Sequence, residues 1–355
     1  MNNDLTKKLA HQMQNFSLSN IVRIMEVCGT HTTEFFKTGV KDIFPSGLHL
    51  VDGPGCPVCV TPNEYLDRAI SIGKKYNTII TTFGDMIRVP SSYSSLAKEK
   101  ANGMDIEIIY SPIDALQIAE KYPNREVILI SIGFETTSPS HAVTVLEAMK
   151  KNIKNFSLLT ANKLTPPAVK ALLDSKEINI DGFILPGHVS AIIGVNGWKF
   201  ISEDYNMPCV VTGFENYDLI NGTLALLDLI TNNRCDILNE YTRVVKDEGN
   251  SKAREIMYKV FEKCDSLWRG IGTIPESGLS IKEDYSNFDA FKKFPVPPPL
   301  PKGNEDCRCG ELLRGLIEPD KCPLFAKKCT PEHPVGPCMV SSEGPCAAYY
   351  NYGRK

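Results

Sequence analysis

Between residues 21 and 230, short apolar runs alternate with amphipathic stretches, and no other feature constrains the fold as much. Apolar runs fall at 21–27 (IVRIMEV), 49–52, 78–83, 106–110, 126–132, 157–160, 182–185 and 209–212. Helical patterns separate them, starting after Cys28 with Thr30 or Thr32 as cap, then at about 62–75, 96–101, 112–122, 141–150, 166–173 and 217–230; Thr61 and Pro62 supply a cap and a first-turn proline for the second. Strands that alternate with helices pack as parallel sheets covered on both faces. Eight strands are too many for one small sheet. Three of them end alike, in Phe83-Gly84-Asp85, Gly133-Phe134-Glu135 and Gly213-Phe214-Glu215, which places a glycine and a carboxylate where open α/β sheets bind ligands. The pattern predicts an α/β protein of two similar doubly wound parallel-sheet domains, 20–120 and 121–240, with a cleft between them. A helical and cysteine-rich part, 241–355, follows, and residues 1–19 can join it. Within that part 241–264 is charged and reads as mostly helical, and 293–302 (KFPVPPPLPK) is a proline-rich spacer that cannot enter a sheet.

Composition narrows the function. A net charge of -3 offers no electrostatic footprint for nucleic acid or an anionic membrane. No apolar run approaches the roughly 18 residues of a membrane span, and the polar start MNNDLTKKLAHQMQNF lacks a secretory core, so a cytoplasmic location is expected. Twelve cysteines in a cytosolic chain of 355 residues then point to metal or redox chemistry, because thiols there stay reduced.

Three groups of cysteines stand out. In 51–62 (VDGPGCPVCVTP), Cys56 and Cys59 form a CxxC pair in a stiff glycine and proline turn directly after a strand. Such a pair can close a disulfide, chelate one metal ion or form half of a zinc site. Cys28 ends the first strand at the start of a helix, where backbone N–H groups favour a thiolate. His31, three residues on, is a candidate ligand, proton shuttle or orienting donor, and the run CGTHT is poor core material. The block 307–346 holds Cys307, Cys309, Cys322, Cys329, Cys338 and Cys346 at irregular intervals among prolines and glycines, as an iron–sulfur cluster requires. Zinc is the competing occupant, but its ligands usually come as two close pairs. Cys209, Cys235 and Cys264 read as packing residues. Asp85, Arg88, Glu135 and His188 follow strand ends and are either turn and cap residues or the walls of a shared cleft. No phosphate loop, dinucleotide fingerprint, nucleophile elbow or CxxxCxxC signature is present.

The stretches MEVCGTHT, GPGCPVC, TTFGDMIRVPSS, GFETTSP, LPGHVS and MVSSEGPCAAYY together resemble the HypD family of nickel-iron hydrogenase maturation proteins, in order, from about residue 20 to the C-terminus. The resemblance implies a scaffold that holds iron while two cyanides and one carbon monoxide are added. A small HypC-type chaperone would share the iron, a HypE-type protein would donate cyanide, and the hydrogenase large subunit would be an indirect partner. It implies Cys28 as the iron-holding thiolate, Cys56 and Cys59 as a second metal or redox site, and a four-iron four-sulfur cluster on Cys309, Cys322, Cys329 and Cys346, leaving Cys307 and Cys338 as extra thiols. Soft thiolates suit the low-spin iron that such ligands favour. Two rivals remain: an iron–sulfur-dependent dithiol/disulfide oxidoreductase, and a structural zinc protein that docks partners. Neither has a use for a third thiol beside a histidine.

Overall fold

The computed structural model describes residues 3–297 and 306–353. Residues 298–302 of the proline-rich spacer lie outside them. Two all-parallel sheets form the body. One has the order β2(Leu48–Asp52)-β1(Val22–Glu26)-β7(Gly182–Pro186)-β8(Cys209–Thr212)-β9(Ile237–Asn239), and the other β4(Ile106–Ile108)-β3(Thr78–Thr82)-β5(Glu126–Ser131)-β6(Phe156–Thr160). Strands β3, β6, β7 and β8 are buried along their whole length, which is why they read as continuous apolar or small-residue runs rather than alternating ones.

Each sheet reverses its winding once, at β1/β7 in the first and β3/β5 in the second. The boundary expected near residue 120 does not separate the sheets. Strands β3 to β6 make one sheet by themselves, while β1, with β2 on its other side, pairs with a strand from far later in the chain, Met25 lying opposite Phe183. Linear order suggested otherwise because parallel pairing carries no local signal of which neighbour a strand will choose.

One core joins the facing sides of both sheets, with Met25, Ile80, Ile128, Ile130, Phe183, Leu185 and Val211 in contact through it. The outer face of the second sheet is covered by the helix Ser138–Lys150 and that of the first by Asn3–Gln14 and Asn216–Thr231. Past β9 the expectation of a helical part holds for Ser251–Val260 and for short segments such as Ala290–Lys293, Cys309–Leu313 and Pro345–Ala348. Directly after Ser251–Val260 the chain forms an antiparallel hairpin, β10(Phe261–Trp268) and β11(Gly272–Ile281), with a register shift between Cys264 and Ser266. Cys264 is thus a strand residue and half-buried, Cys235 is exposed, and of the three expected packing thiols Cys209 alone is fully buried. No helix among the described residues is long and apolar enough to cross a membrane.

Candidate metal and thiol site

The carboxyl ends of β1, β2 and β7 gather five of the sequence-predicted residues, Cys28, His31, Cys56, Cys59 and His188, at the switch point of the first sheet, where open α/β sheets form a crevice. Cys28 caps the helix Gly29–Lys37 immediately after β1, and Cys56 caps the short helix Pro57–Val60 after β2. The two loops touch through their backbones. Gly29 N donates to Gly55 O at 3.0 Å, and a Cβ on Gly55 would lie 2.2 Å from Cys28 N. Any other residue at 55 would push the two loops apart. Cys56 and Cys59 are joined as a disulfide with Cα atoms 5.2 Å apart, and both are buried.

The electrostatics at Cys28 differ from the helix-terminus expectation. Burial, and then the neighbouring Glu26, push the thiol up to about 12, so desolvation and a nearby carboxylate outweigh the dipole of a nine-residue helix. Glu26 itself is wholly buried. Its Oε2 accepts from Cys28 N at 2.7 Å, and its Oε1 accepts from the Thr32 hydroxyl. Asp52 sits opposite Glu26 in the β1–β2 register and hydrogen-bonds to it. Burial and then the charge of Asp52 hold Glu26 well above the usual carboxylate range, and burial lifts Asp52 to about 6 against the pull of Lys41. Two buried carboxyls in hydrogen-bond contact resist both being charged, which favours a proton between them. Neither stood out in the sequence, although Glu26 lies inside MEVCGTHT.

His31 is fully buried, and burial lowers it to about 4, so the ring is neutral. Its Nε2 lies 2.9 Å from Gly213 O, and a carbonyl only accepts, which puts the ring proton on Nε2. Nδ1 therefore carries a lone pair, and no protein group satisfies it. Phe214 stacks between this ring, at 4.6 Å, and that of His188, at 4.0 Å, tying the ends of β1, β7 and β8 together.

The tail covers the same place. Thr30 Oγ1 donates to Glu343 Oε1 at 2.8 Å, Thr33 Oγ1 to Ser342 O at 2.8 Å, and Ser341 Oγ to Asp85 Oδ2 at 3.0 Å. Arg88 also holds the tail, donating to Pro331 O at 3.1 Å. Asp85 and Arg88 are exposed residues of the short 3-10 helix Gly84–Arg88 and anchor the tail. Glu135 stands apart from the thiols. Its carboxylate is bound by Thr165, and it lines a cavity of about 600 Å³ with Pro166, Lys170, Phe200 and Tyr258.

All six tail cysteines line one small cavity walled by Leu312, Leu324, Phe325 and Met339. Hydrogen bonding to Cys309, and then burial, raise Cys307 above its ordinary value; Cys309 also bonds Cys338. Burial, and then the sulfurs of Cys329, Cys307, Cys322 and Cys309, hold Cys346 high. Among the described residues no three His, Cys, Asp or Glu side chains are close enough to hold a single metal ion. The corners of a four-iron cube are more widely spaced than the ligands of one ion, and a set of converging thiols with an apolar wall fits such a group.

Residues 2–353 match the family model of HypD, described as the hydrogenase formation hypA family. The chain is 44% identical over 340 residues to the hydrogenase maturation factor HypD2 of Bradyrhizobium diazoefficiens, covering 94% of this chain and 90% of that one. It is 43% identical over 339 residues to HypD of Cupriavidus necator (93% and 89% covered). To HypD of Escherichia coli it is 41% identical over 339 residues (95% and 91%).

Proposed function

The chain belongs to the HypD family of hydrogenase maturation factors, and from that membership we propose that it is the scaffold on which the iron-dicyanide-carbonyl centre of nickel-iron hydrogenase is assembled. Iron is the cargo. Cys28 holds it as a thiolate, together with a cysteine of a HypC-type chaperone, and a HypE-type protein delivers the cyanides. The observation that carries this reading is the backbone contact between the Cys28 loop and the Cys56–Cys59 turn, which sets a buried thiol beside a redox-capable pair at the sheet's switch point.

The surrounding residues have definite tasks. Cys28 must lose its proton when iron binds, and the Glu26–Asp52 pair two residues away is a place for that proton to go. The free Nδ1 lone pair of His31 can accept a proton or orient a polar ligand. Opening the Cys56–Cys59 disulfide consumes two electrons and two protons and yields two thiols. In the tail, four of the six cysteines, with Cys309, Cys322, Cys329 and Cys346 as the assigned set, would hold a four-iron four-sulfur cluster. Such a cluster supplies electrons singly.

The test is an infrared spectrum, in the cyanide and carbon monoxide stretching region, of the chain purified without oxygen from cells that also express a HypC-type partner. Bands that vanish in Cys28→Ala are the expected result. The disulfide also favours a second reading, an iron–sulfur-dependent dithiol oxidoreductase. A spectrum silent in that region from an iron- and sulfide-containing protein would put that reading first.

A further inference from the structure

The turn between β10 and β11 belongs to no part of the site as described, yet it touches the end of the CPVC turn and the start of the tail's cysteine block. Arg269, at its start, is bound on one side to the end of the CPVC turn. Its backbone N donates to Val60 O at 2.8 Å. Its guanidinium donates to Thr61 O from Nε at 3.1 Å and Nη2 at 2.5 Å, and to Asn63 Oδ1 from Nη1 at 2.7 Å. Cys59 is one residue before Val60. On its other side the turn presses on the cysteine cavity. Gly270, at φ +72, meets Gly310 so closely that a Cβ on it would lie 2.1 Å from Gly310 Cα, and a Cβ on Gly310 would lie 2.7 Å from Gly270 Cα. Gly310 follows Cys309. Two glycines in mutual contact bring the Arg269 and Cys309 backbones nearer than side chains would allow.

The acceptors of the guanidinium are neutral, so they orient the cation without cancelling its charge. Burial weighs against the charge and lowers the guanidinium from its ordinary value; the groups that would offset this are the sulfurs of Cys309, Cys338 and Cys307 when ionised, ahead of the Asp67 carboxylate. A cation held out of water beside a set of thiols is costly unless those thiols become anionic, as they do on ligating iron.

We propose that Arg269 is the fixed counter-charge of the iron–sulfur group in the cysteine-lined cavity, raising its reduction potential while bracing it against the Cys56–Cys59 turn. This rests on the cluster assigned above. Reduction adds one negative charge to a cluster that is already anionic, so a nearby cation stabilises the reduced form more than the oxidised one. Net charge near the sulfurs is among the factors that set such potentials. Arg269 acts through the group's environment and supplies none of its ligands.

The experiment is a redox titration, followed by electron paramagnetic resonance, of the full-length chain purified without oxygen, with iron and labile sulfide counted in the same samples. Arg269→Gln keeps hydrogen-bond donors and loses the charge; Arg269→Lys keeps the charge and loses the fork. The expected result is a lower midpoint in Arg269→Gln, equivalent to at least a tenfold fall in the reduced-to-oxidised ratio at a fixed potential, with Arg269→Lys near the parent. Loss of the cluster from the glutamine variant alone supports the same conclusion. Equal midpoints in all three proteins, equal falls in both variants, or cluster loss from both would overturn it, the last two assigning Arg269 a merely structural latch. A parent chain without iron and sulfide would instead overturn the cluster itself, and this inference with it.

Discussion

Glu135 is 2% exposed, and its carboxylate accepts from Thr165 N at 2.7 Å and Thr165 Oγ1 at 2.8 Å as well as from its own backbone. These bonds do not offset burial, which raises the carboxyl from 4.5 to about 7. The native chain therefore binds a proton that the unfolded chain has released between these two values. The stability this group contributes is full below pH 4.5 and is lost as the pH rises through about 7. Glu135→Gln removes the titration, so the stability of the parent should fall relative to the variant by roughly 2–3 kcal/mol between pH 4.5 and 8. Denaturant unfolding of both proteins across that range measures the difference, and parallel profiles would contradict it. At this scale the thiols were legible in the sequence, because residue type and a rigid glycine-proline spacing already state their chemistry. Glu26 and Asp52 were not, since their pairing depends on the register between two strands more than twenty residues apart. The closeness of Arg269 to the tail cysteines was hidden for the same kind of reason.

Among elements, those whose signals are local were readable, and those that depend on a partner were not. The helix Leu96–Ala101 and strand Cys209–Thr212 fall where caps and apolar runs put them. The β10–β11 hairpin was hidden because FEKCDSLW alternates poorly. Three of its eight residues are exposed and two more are half-buried, and the shift between Cys264 and Ser266 breaks the period of two on which a strand signal depends. The glycine-proline turn after β2 shows what an element's shape can do for a distant thiol. With a Cβ at residue 55 only 2.2 Å from Cys28 N and 2.4 Å from Cys28 Cα, there is no side chain to rotate away, and backbone must move. Gly55→Ala should therefore leave the sheets folded but expose Cys28, which is 7% exposed in the parent, to a bulky thiol reagent at least tenfold faster. Peptide mapping of the labelled site against circular dichroism of the same sample checks this. An unchanged rate in a fully folded variant would mean that the two loops are not rigidly coupled.

For the whole molecule, the sequence yielded the class of fold and missed its partition. The α/β alternation and parallel sheets were readable because helix and strand periods are local; which strands share a sheet is decided by packing across the entire chain. The consequence is testable. Residues 20–120 contain β1 and β2 from one sheet and β3 and β4 from the other, and residues 121–240 contain the complementary halves. Neither stretch can complete a sheet, and each would leave one side of the central core, from Met25 and Ile80 to Ile130 and Leu185, open to water. Apolar area exposed in this way costs about 25 cal/mol for each Å², so a few hundred Å² already exceeds the net stability of an ordinary domain. Expressed separately, the two fragments should show no cooperative thermal transition by circular dichroism, while the intact chain unfolds its two sheets together. A sigmoidal melt from either fragment alone would mean that the shared core is dispensable. The same interleaving makes the surroundings of Cys28 and His31, both in the first sixty residues, depend on β7 and β8. β7 pairs directly with β1, and Gly213, just past β8, accepts the hydrogen bond that fixes the His31 ring.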